Sequence, residues 1–361
     1  MKKCVLVALC VLVFLSTLAV TGCQKKAETG RLNQSLDNTD LIGPGKGKDY
    51  GFGAVGYDMD GLIQRLGPDN VKKLKIGVEV WGLTTQWLIQ YTDECKELAK
   101  QYGFEVVILS ADADIQKQAD DFKSFQNMQV DGIITYLGNA AAIAQVLTEV
   151  NQTIPIISSV GVLPPEVKIA GAINVSEEAK GAMLVDKIAE EANGAPRYIL
   201  ASCASIDFPV LNDRLKGFKS QISKYPNLKI VVESLAEGTE TNFLDVIKEG
   251  LLAHEEVDTT FGSFSWPIMG AYNGGKQLNR KLKIYGCDAD EAMLDLLIAG
   301  DMITGLQVNW PGPVAYLSLF NLFRVLGGEK IPFITYEPEL YAKYFCSQKD
   351  GPKVKQILYG K

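Results

Sequence analysis

From Leu74 onward the chain alternates short, nearly unbroken apolar runs with longer segments whose apolar residues recur every three or four positions. The first runs are LKIGVEV, FEVVILS, DGIITYL and IPIISSV. They are rich in Val and Ile, as expected of strands in a parallel sheet covered by helices on both faces. The segment after the first run carries Trp87, Tyr91, Cys95, Leu98 and Tyr102, one apolar stripe at helical spacing. Thr84 or Thr85 can cap its start, Lys96 and Lys100 suit its last turn, and Gly103 suits its stop. The pattern then restarts with RYILAS, LKIVVES, TTFGSF, LKIYGCD and MITGLQV, separated by helical segments such as NDRLKGFKSQISKY and DEAMLDLLIAG. Two such βα arrays of similar size predict an α/β protein of two doubly wound, Rossmann-like lobes with parallel sheets.

The N-terminus follows a different pattern. Lys2 and Lys3 precede an apolar run at residues 5–20, followed by Val-Thr-Gly-Cys. A positive start, a greasy middle and small residues at the end describe a secretory signal peptide. The run is shorter than the ~20 residues a membrane span needs. It resembles a bacterial lipoprotein signal, with Val20 in place of the usual leucine. That resemblance implies cleavage after residue 22 and a lipid on Cys23. Residues 24–50 are polar and rich in Gly, Lys, Asn and Asp, and read as a tether. A short helix around DGLIQRLG is expected to pack on the domain edge.

Composition narrows the function. The 361 residues are 47% hydrophobic and 22% charged, with a formal charge of −7. Loss of residues 1–22 removes two lysines and no acid, leaving 34 basic against 43 acidic side chains, a formal −9. An acidic balance excludes a nucleic-acid partner, which needs a basic surface. Beyond the leader and Cys23, the cysteines are Cys95, Cys203, Cys287 and Cys346. Their wide spacing contains no metal or redox motif, and they read as buried free thiols.

Ligands of doubly wound sheets bind outside the carboxyl ends of the strands. The residues following the strands are therefore the candidates. In the first array they are Trp81, Thr84, Thr85 and Trp87, then Asp112, then Tyr136 and Asn139, then Ser158 and Ser159. In the second they are Asp207 and Asn212, then Phe264, Ser265 and Trp266, then Asp288, and last Asn309 and Trp310. All four tryptophans of the chain fall in this set. Aromatic faces stack on the C–H faces of sugars or on flat bases, while carboxylates and amides hydrogen-bond ring hydroxyls. The competing reading is that the tryptophans cover loops and a hinge. Glu79 is a further candidate, a carboxylate in an apolar strand that is costly unless paired. A salt bridge or a solvated strand end would explain it equally well.

Over residues 74–345 the chain resembles the type I periplasmic binding proteins of the ribose/galactose class, the receptors of sugar ABC transporters. The block GCDADEAMLDLLIAGDMITGLQVNWPGPVA carries the most specific part of the resemblance, together with RLKGFKSQIS and FNLFRVLGGEKIPF. It implies two lobes joined by three crossings, near Asn174, Asn309 and Lys330. The lobes would then be residues 74–174 plus 310–330 and residues 175–309 plus 331–361, after a signal at 1–22 and a lipidated extension at 23–73. The candidate ligand residues are Trp81, Thr85, Trp87, Asp112, Asn139, Asn212, Trp266, Asp288, Asn309 and Trp310, of which the resemblance itself implies the turn aromatic Trp87, the aspartate Asp288 and the late amide Asn309. The family's ligand-gripping arginine falls on Asn212. The family's aspartate-arginine pair after the fourth strand is replaced by SSVG. The resemblance further implies an exported, lipid-anchored monomer without cofactor or catalysis, facing the periplasm or cell exterior. It would deliver a small neutral ligand, a monosaccharide foremost, to a permease with a separate ATPase. The aromatic excess keeps open a non-sugar ligand: a purine nucleoside, a quaternary amine or a signalling furanose, for transport or chemosensing.

Enzyme motifs fail their context tests. His254, the single histidine, stands beside acids in LLAHEEVD, and neither G-x-S-x-G nor H-E-x-x-H occurs. GFGAVG at residues 51–56 follows a Gly/Lys-rich stretch rather than a strand, so it reads as a turn and not as a dinucleotide site. DADIQKQADDF has Lys117 and Lys123 where a calcium loop needs glycine and glutamate.

Overall fold

The computed structural model describes residues 37–160, 163–205 and 208–360. Cys23, the expected signal segment and Asp207 lie outside the described residues. After a 3-10 turn at Thr39–Leu41 come α1 (Met59–Leu66), α2 (Pro68–Val71), β1 (Lys75–Val80), α3 (Gln86–Tyr102), β2 (Glu105–Ser110), α4 (Ile115–Asn127), β3 (Gly132–Tyr136), α5 (Ala144–Asn151), β4 (Ile156–Ser158) and β5 (Gly171–Asn174). The second array follows: α6 (Glu177–Ala192), β6 (Arg197–Ala204), α7 (Pro209–Ile222), β7 (Leu228–Ala236), α8 (Glu240–Ala253), β8 (Thr259–Gly262), α9 (Ser265–Gln277), β9 (Lys283–Cys287), α10 (Glu291–Ala299) and β10 (Ile303–Gln307). The chain closes with α11 (Pro311–Leu326), β11 (Ile334–Tyr336), α12 (Glu339–Ala342), β12 (Phe345–Cys346) and α13 (Gly351–Tyr359).

Among the described residues these strands form two sheets, in the orders β2-β1-β3-β4-β5-β11 and β7-β6-β8-β9-β10-β12. The pairs are parallel except β10 with β12. Local chemistry explains the element ends. The Thr85 hydroxyl accepts from the Leu88 amide and starts α3, and Gly103 stops it with φ +83°. The Asp114 carboxylate accepts from the Gln116 and Lys117 amides and starts α4.

Two boundaries differ from the expectation. The third crossing does not lie near Lys330. β11 still pairs with β5 in the first sheet, at Ile334 to Ala172, so the chain crosses between residues 337 and 344. The apolar run IPFITY offered no sign that it adds an edge strand to a sheet built more than 150 residues earlier. The polar extension is also not a tether over its described part. The Asp49 carboxylate accepts from the Gly51 and Gly53 amides, Tyr50 and Lys48 bond Glu94 of α3, and α1 buries Met59, Leu62, Ile63 and Leu66 against the body. Polar composition hid these partners, which lie on α3 and α11.

The core has an apolar part in each lobe, with α11 buried along its length between α3 and the first sheet. Cys95, Cys203, Cys287 and Cys346 are buried free thiols. His254 ends α8 at the surface beside Glu256.

Candidate functional site

The carboxyl ends of both sheets meet around a cavity of about 280 Å³. The first lobe lines it with Trp81, Thr84, Thr85, Trp87 and Tyr136. The second adds Phe208, Arg214, Glu237, Phe243, Phe264, Trp266 and Asp288, and Asn309 stands at the crossing between them. The walls are mainly aromatic, with a few convergent polar groups, as is usual for small-molecule sites.

Backbone geometry aims these groups. Trp81 leaves β1 with its amide bonded to the Tyr136 carbonyl, and its indole packs closely against Gly138. A Cβ at Gly138 would stand 2.2 Å from the ring, so only glycine allows this approach. Across the cleft the Trp81 ring lies 6.2 Å from Phe208, a contact between lobes. Trp87 stacks on Tyr91 at 5.5 Å and leans on Tyr136 at 5.1 Å. Its buried indole N–H finds no acceptor among the described residues, so it is a donor available to a ligand. Trp266, Phe264 and Phe243 form a second aromatic wall.

The polar floor is one network. Asp288 follows β9 at φ +81°, a backbone conformation that strains a non-glycine residue. Its Oδ1 accepts from Arg214 Nη1 at 3.3 Å and from Asn309 Nδ2 at 3.2 Å. Arg214, almost fully buried, donates Nε to Glu177 at 2.5 Å and Nη1 to the Ser263 carbonyl. Lys180 Nζ donates to Asn309 Oδ1 at 2.5 Å and pairs with Glu177. Arg214 and Lys180 therefore offset Glu177 and Asp288 at the floor, while Glu237 adds an exposed acidic side chain on the wall. Burial opposes the charge on Glu177, but Arg214 and Lys180 outweigh it and hold the carboxyl below its usual range. The carboxylate of Glu337, at the third crossing, is buried without a hydrogen-bond partner among the described residues. Desolvation raises its carboxyl to about 7.

Of the sequence candidates, Trp81, Thr85, Trp87, Trp266, Asp288 and Asn309 meet at this cavity, as do Thr84, Tyr136 and Phe264. Four are placed elsewhere. Asp112 turns to solvent at φ +53° beside Ser110 and Lys117, and the next residue, Ala113, lines the wall instead. Asn139 caps a turn by accepting from the Ala142 amide. Asn212 faces Cys203 inside its own lobe, one position after Leu211 on the wall. Trp310 is buried among Phe52, Tyr341 and Tyr344, so it packs the second and third crossings. Ser159 bonds Tyr91 and Ser318, and Ser158 bonds the Val160 carbonyl. Glu79 is neither salt-bridged nor solvated. Gln118 and Thr135 hydrogen-bond it beneath β1, and desolvation raises its carboxyl to about 8.

The sequence reading missed Phe208, Phe243 and Glu237 on the walls and, on the floor, Arg214. Arg214 stands two positions after Asn212, inside an amphipathic helix. Its one sequence signal is a cation on the face that also carries Leu211 and Phe218.

No described helix is long and apolar enough to cross a membrane. A xylitol-binding protein of Mycolicibacterium smegmatis is 24% identical over 259 residues, 71% of this chain and 73% of that one. A ribose import binding protein of Bacillus subtilis is 21% identical over 266 residues, 73% of this chain and 85% of that one. The fold matches a solved ABC transporter solute binding protein from Bacillus halodurans with bound myo-inositol. The TM-score is 0.71 at 18% identity, over 79% of this chain and 98% of that one. The profile of the periplasmic binding protein domain matches residues 76–330, most of both lobes. The chain belongs to the periplasmic binding protein family, extracytoplasmic solute receptors rather than enzymes.

Proposed function

We propose that this protein captures a small neutral polyhydroxylated molecule, a monosaccharide or polyol, between its lobes and presents it to the permease of an ABC transporter. The carrying observation is the aromatic cavity shared by both lobes, with Asp288, Asn309 and Arg214 on its floor. Ring faces suit sugar C–H faces, and the amide, carboxylate and guanidinium suit hydroxyls. Arg214, paired with Asp288 on the floor, opposes a cation there and favours an uncharged ligand over a quaternary amine. A volume of about 280 Å³ lies at the small end of ligand sites. The relatives named for xylitol and ribose, and the similar fold with bound myo-inositol, support the same ligand class.

In this reading the exported chain loses residues 1–22, carries lipid on Cys23, works as a monomer and relies on a separate ATPase. The lobes close on the ligand by bending at the three crossings. The test is a fluorescence and calorimetric titration of the full chain with xylitol, D-ribose, D-galactose, myo-inositol, adenosine and choline. Trp81, Trp87 and Trp266 line the cavity, so a bound sugar or polyol should give a saturable emission change. A response to adenosine or choline alone would overturn the ligand class.

A further inference from the structure

Helix α13 lies beyond the stretch that the family profile matches, and it touches both lobes. On the second lobe, Lys355 Nζ pairs with Asp295 at 2.5 Å and Glu291 at 3.5 Å, both on α10. On the first lobe, Gln90 Nε2 of α3 donates to the Leu358 carbonyl at 2.8 Å. Gln86, the first residue of α3, presents Oε1 to two donors from the second lobe. The Glu291 amide lies 2.9 Å away and the Tyr359 hydroxyl 3.0 Å away. That hydroxyl also lies 3.1 Å from the Ala289 carbonyl, so one proton serves two acceptors. The N-terminal segment backs the helix. Lys353 Nζ stands 4.0 Å from the Phe52 ring centre, and Gly51 packs on Ile357 with no room for a Cβ.

The bonds of Gln86 and Gln90 to α10 and α13 each join one lobe to the other, so they exist only while the lobes are together. They also adjoin the cavity directly. Gln86 lies between Thr85 and Trp87, and Ala289 follows Asp288. A ligand that draws the walls together finds α13 placed to lock α3.

We propose that Gln86, Gln90 and Tyr359 are positioning residues that dock α13 on α3 and hold part of the protein closed without ligand. The inference rests on the reading that the lobes close by hinge bending. A closed fraction held by these contacts answers to their differential presence in the two states.

The test uses the full chain labelled with donor and acceptor dyes at Lys123→Cys on α4 and Glu249→Cys on α8, one in each lobe. Interlobe distances are read by single-molecule energy transfer without ligand. The wild type should populate a compact state beside an extended one. Tyr359→Phe, which removes one interlobe hydrogen bond, should lower the compact-to-extended ratio roughly fivefold, and Gln86→Ala, which removes two, should lower it further, by roughly twentyfold. Their thermal midpoints should stay close to that of the wild type, because Gln86 is exposed and Tyr359→Phe keeps the ring that packs on the core. Distance distributions identical to the wild type in both variants would overturn the latch, including the case in which the wild type is wholly extended. The readout involves no ligand, so failure of every sugar to bind would sink the ligand class and leave this result standing.

Discussion

The Asp288 carboxylate reaches the cavity from a strained backbone position, and its Oδ1 is shared by Arg214 and Asn309. Asp288→Asn keeps the shape and removes the charge that a ligand hydroxyl and Arg214 both see. Hydrogen bonds to charged groups contribute ~1.5–3 kcal/mol. Affinity for the best ligand of the panel should therefore fall by roughly tenfold to a hundredfold. The fold should survive, since Arg214 retains Glu177 and the Ser263 carbonyl. Calorimetry with unchanged affinity would remove Asp288 from the site. The sequence made Asp288 legible because an acid directly after an apolar strand has few other uses. Arg214 was not legible, because its role depends on Glu177, which lies 37 positions earlier in the chain. Trp310 carried the same local signal as Trp81. What separates them is Phe52, whose ring packs on Trp310 and which sits in GFGAVG, a stretch that reads as a turn.

At the scale of elements, most strands and helices followed from periodicity, and the caps from single residues such as Thr85 and Gly103. Strands β5, β11 and β12 did not, being too short to show a period, and neither did the extension, whose partners are remote in sequence. Strand β1 shows how an element carries a hidden group. Glu79 points into the first lobe, where Gln118 and Thr135 replace water. Desolvation dominates and raises its carboxyl from 4.5 to about 8. The folded chain thus binds this proton more tightly than the unfolded chain. The contribution to stability is complete below pH 4.5 and is lost as pH climbs through the window from 4.5 to about 8. Glu79→Gln keeps a neutral group there and should flatten that part of the profile. Denaturant unfolding at pH 5 and pH 8.5 should show the gap between variant and wild type moving in the variant's favour. The expected change is on the order of a few kcal/mol. A gap that stays constant with pH would mean that Glu79 does not titrate in this window.

The whole molecule is governed by how its two sheets are joined. The chain passes between them after β5, after β10, and again between residues 337 and 344. The second and third passages share one aromatic cluster, with Trp310 packed on Tyr341 and Tyr344. Phe52 lies against Trp310 at 5.2 Å and Tyr344 at 4.3 Å, and Tyr341 donates its hydroxyl to the Gly53 carbonyl at 2.5 Å. The N-terminal extension therefore packs on two of the crossings that would have to bend in a closing motion, although it precedes the first strand of either lobe. A hinge must be stiff in its own packing while its backbone bends, so losing Phe52 should be felt in two quantities at once. Phe52→Ala should lower unfolding stability by roughly 2–3 kcal/mol, below the 3–5 kcal/mol usual for a fully buried ring, because Phe52 is half-buried. It should also shift ligand affinity, although no cavity-lining side chain has changed, because the open–closed balance rests on this cluster. Thermal or urea unfolding together with the same titration separates the possibilities. A loss of stability with unchanged affinity would make the cluster a packing seam and not a hinge. Wild-type stability would mean that residues 48–53 only drape over the crossings, leaving closure to the backbone segments alone.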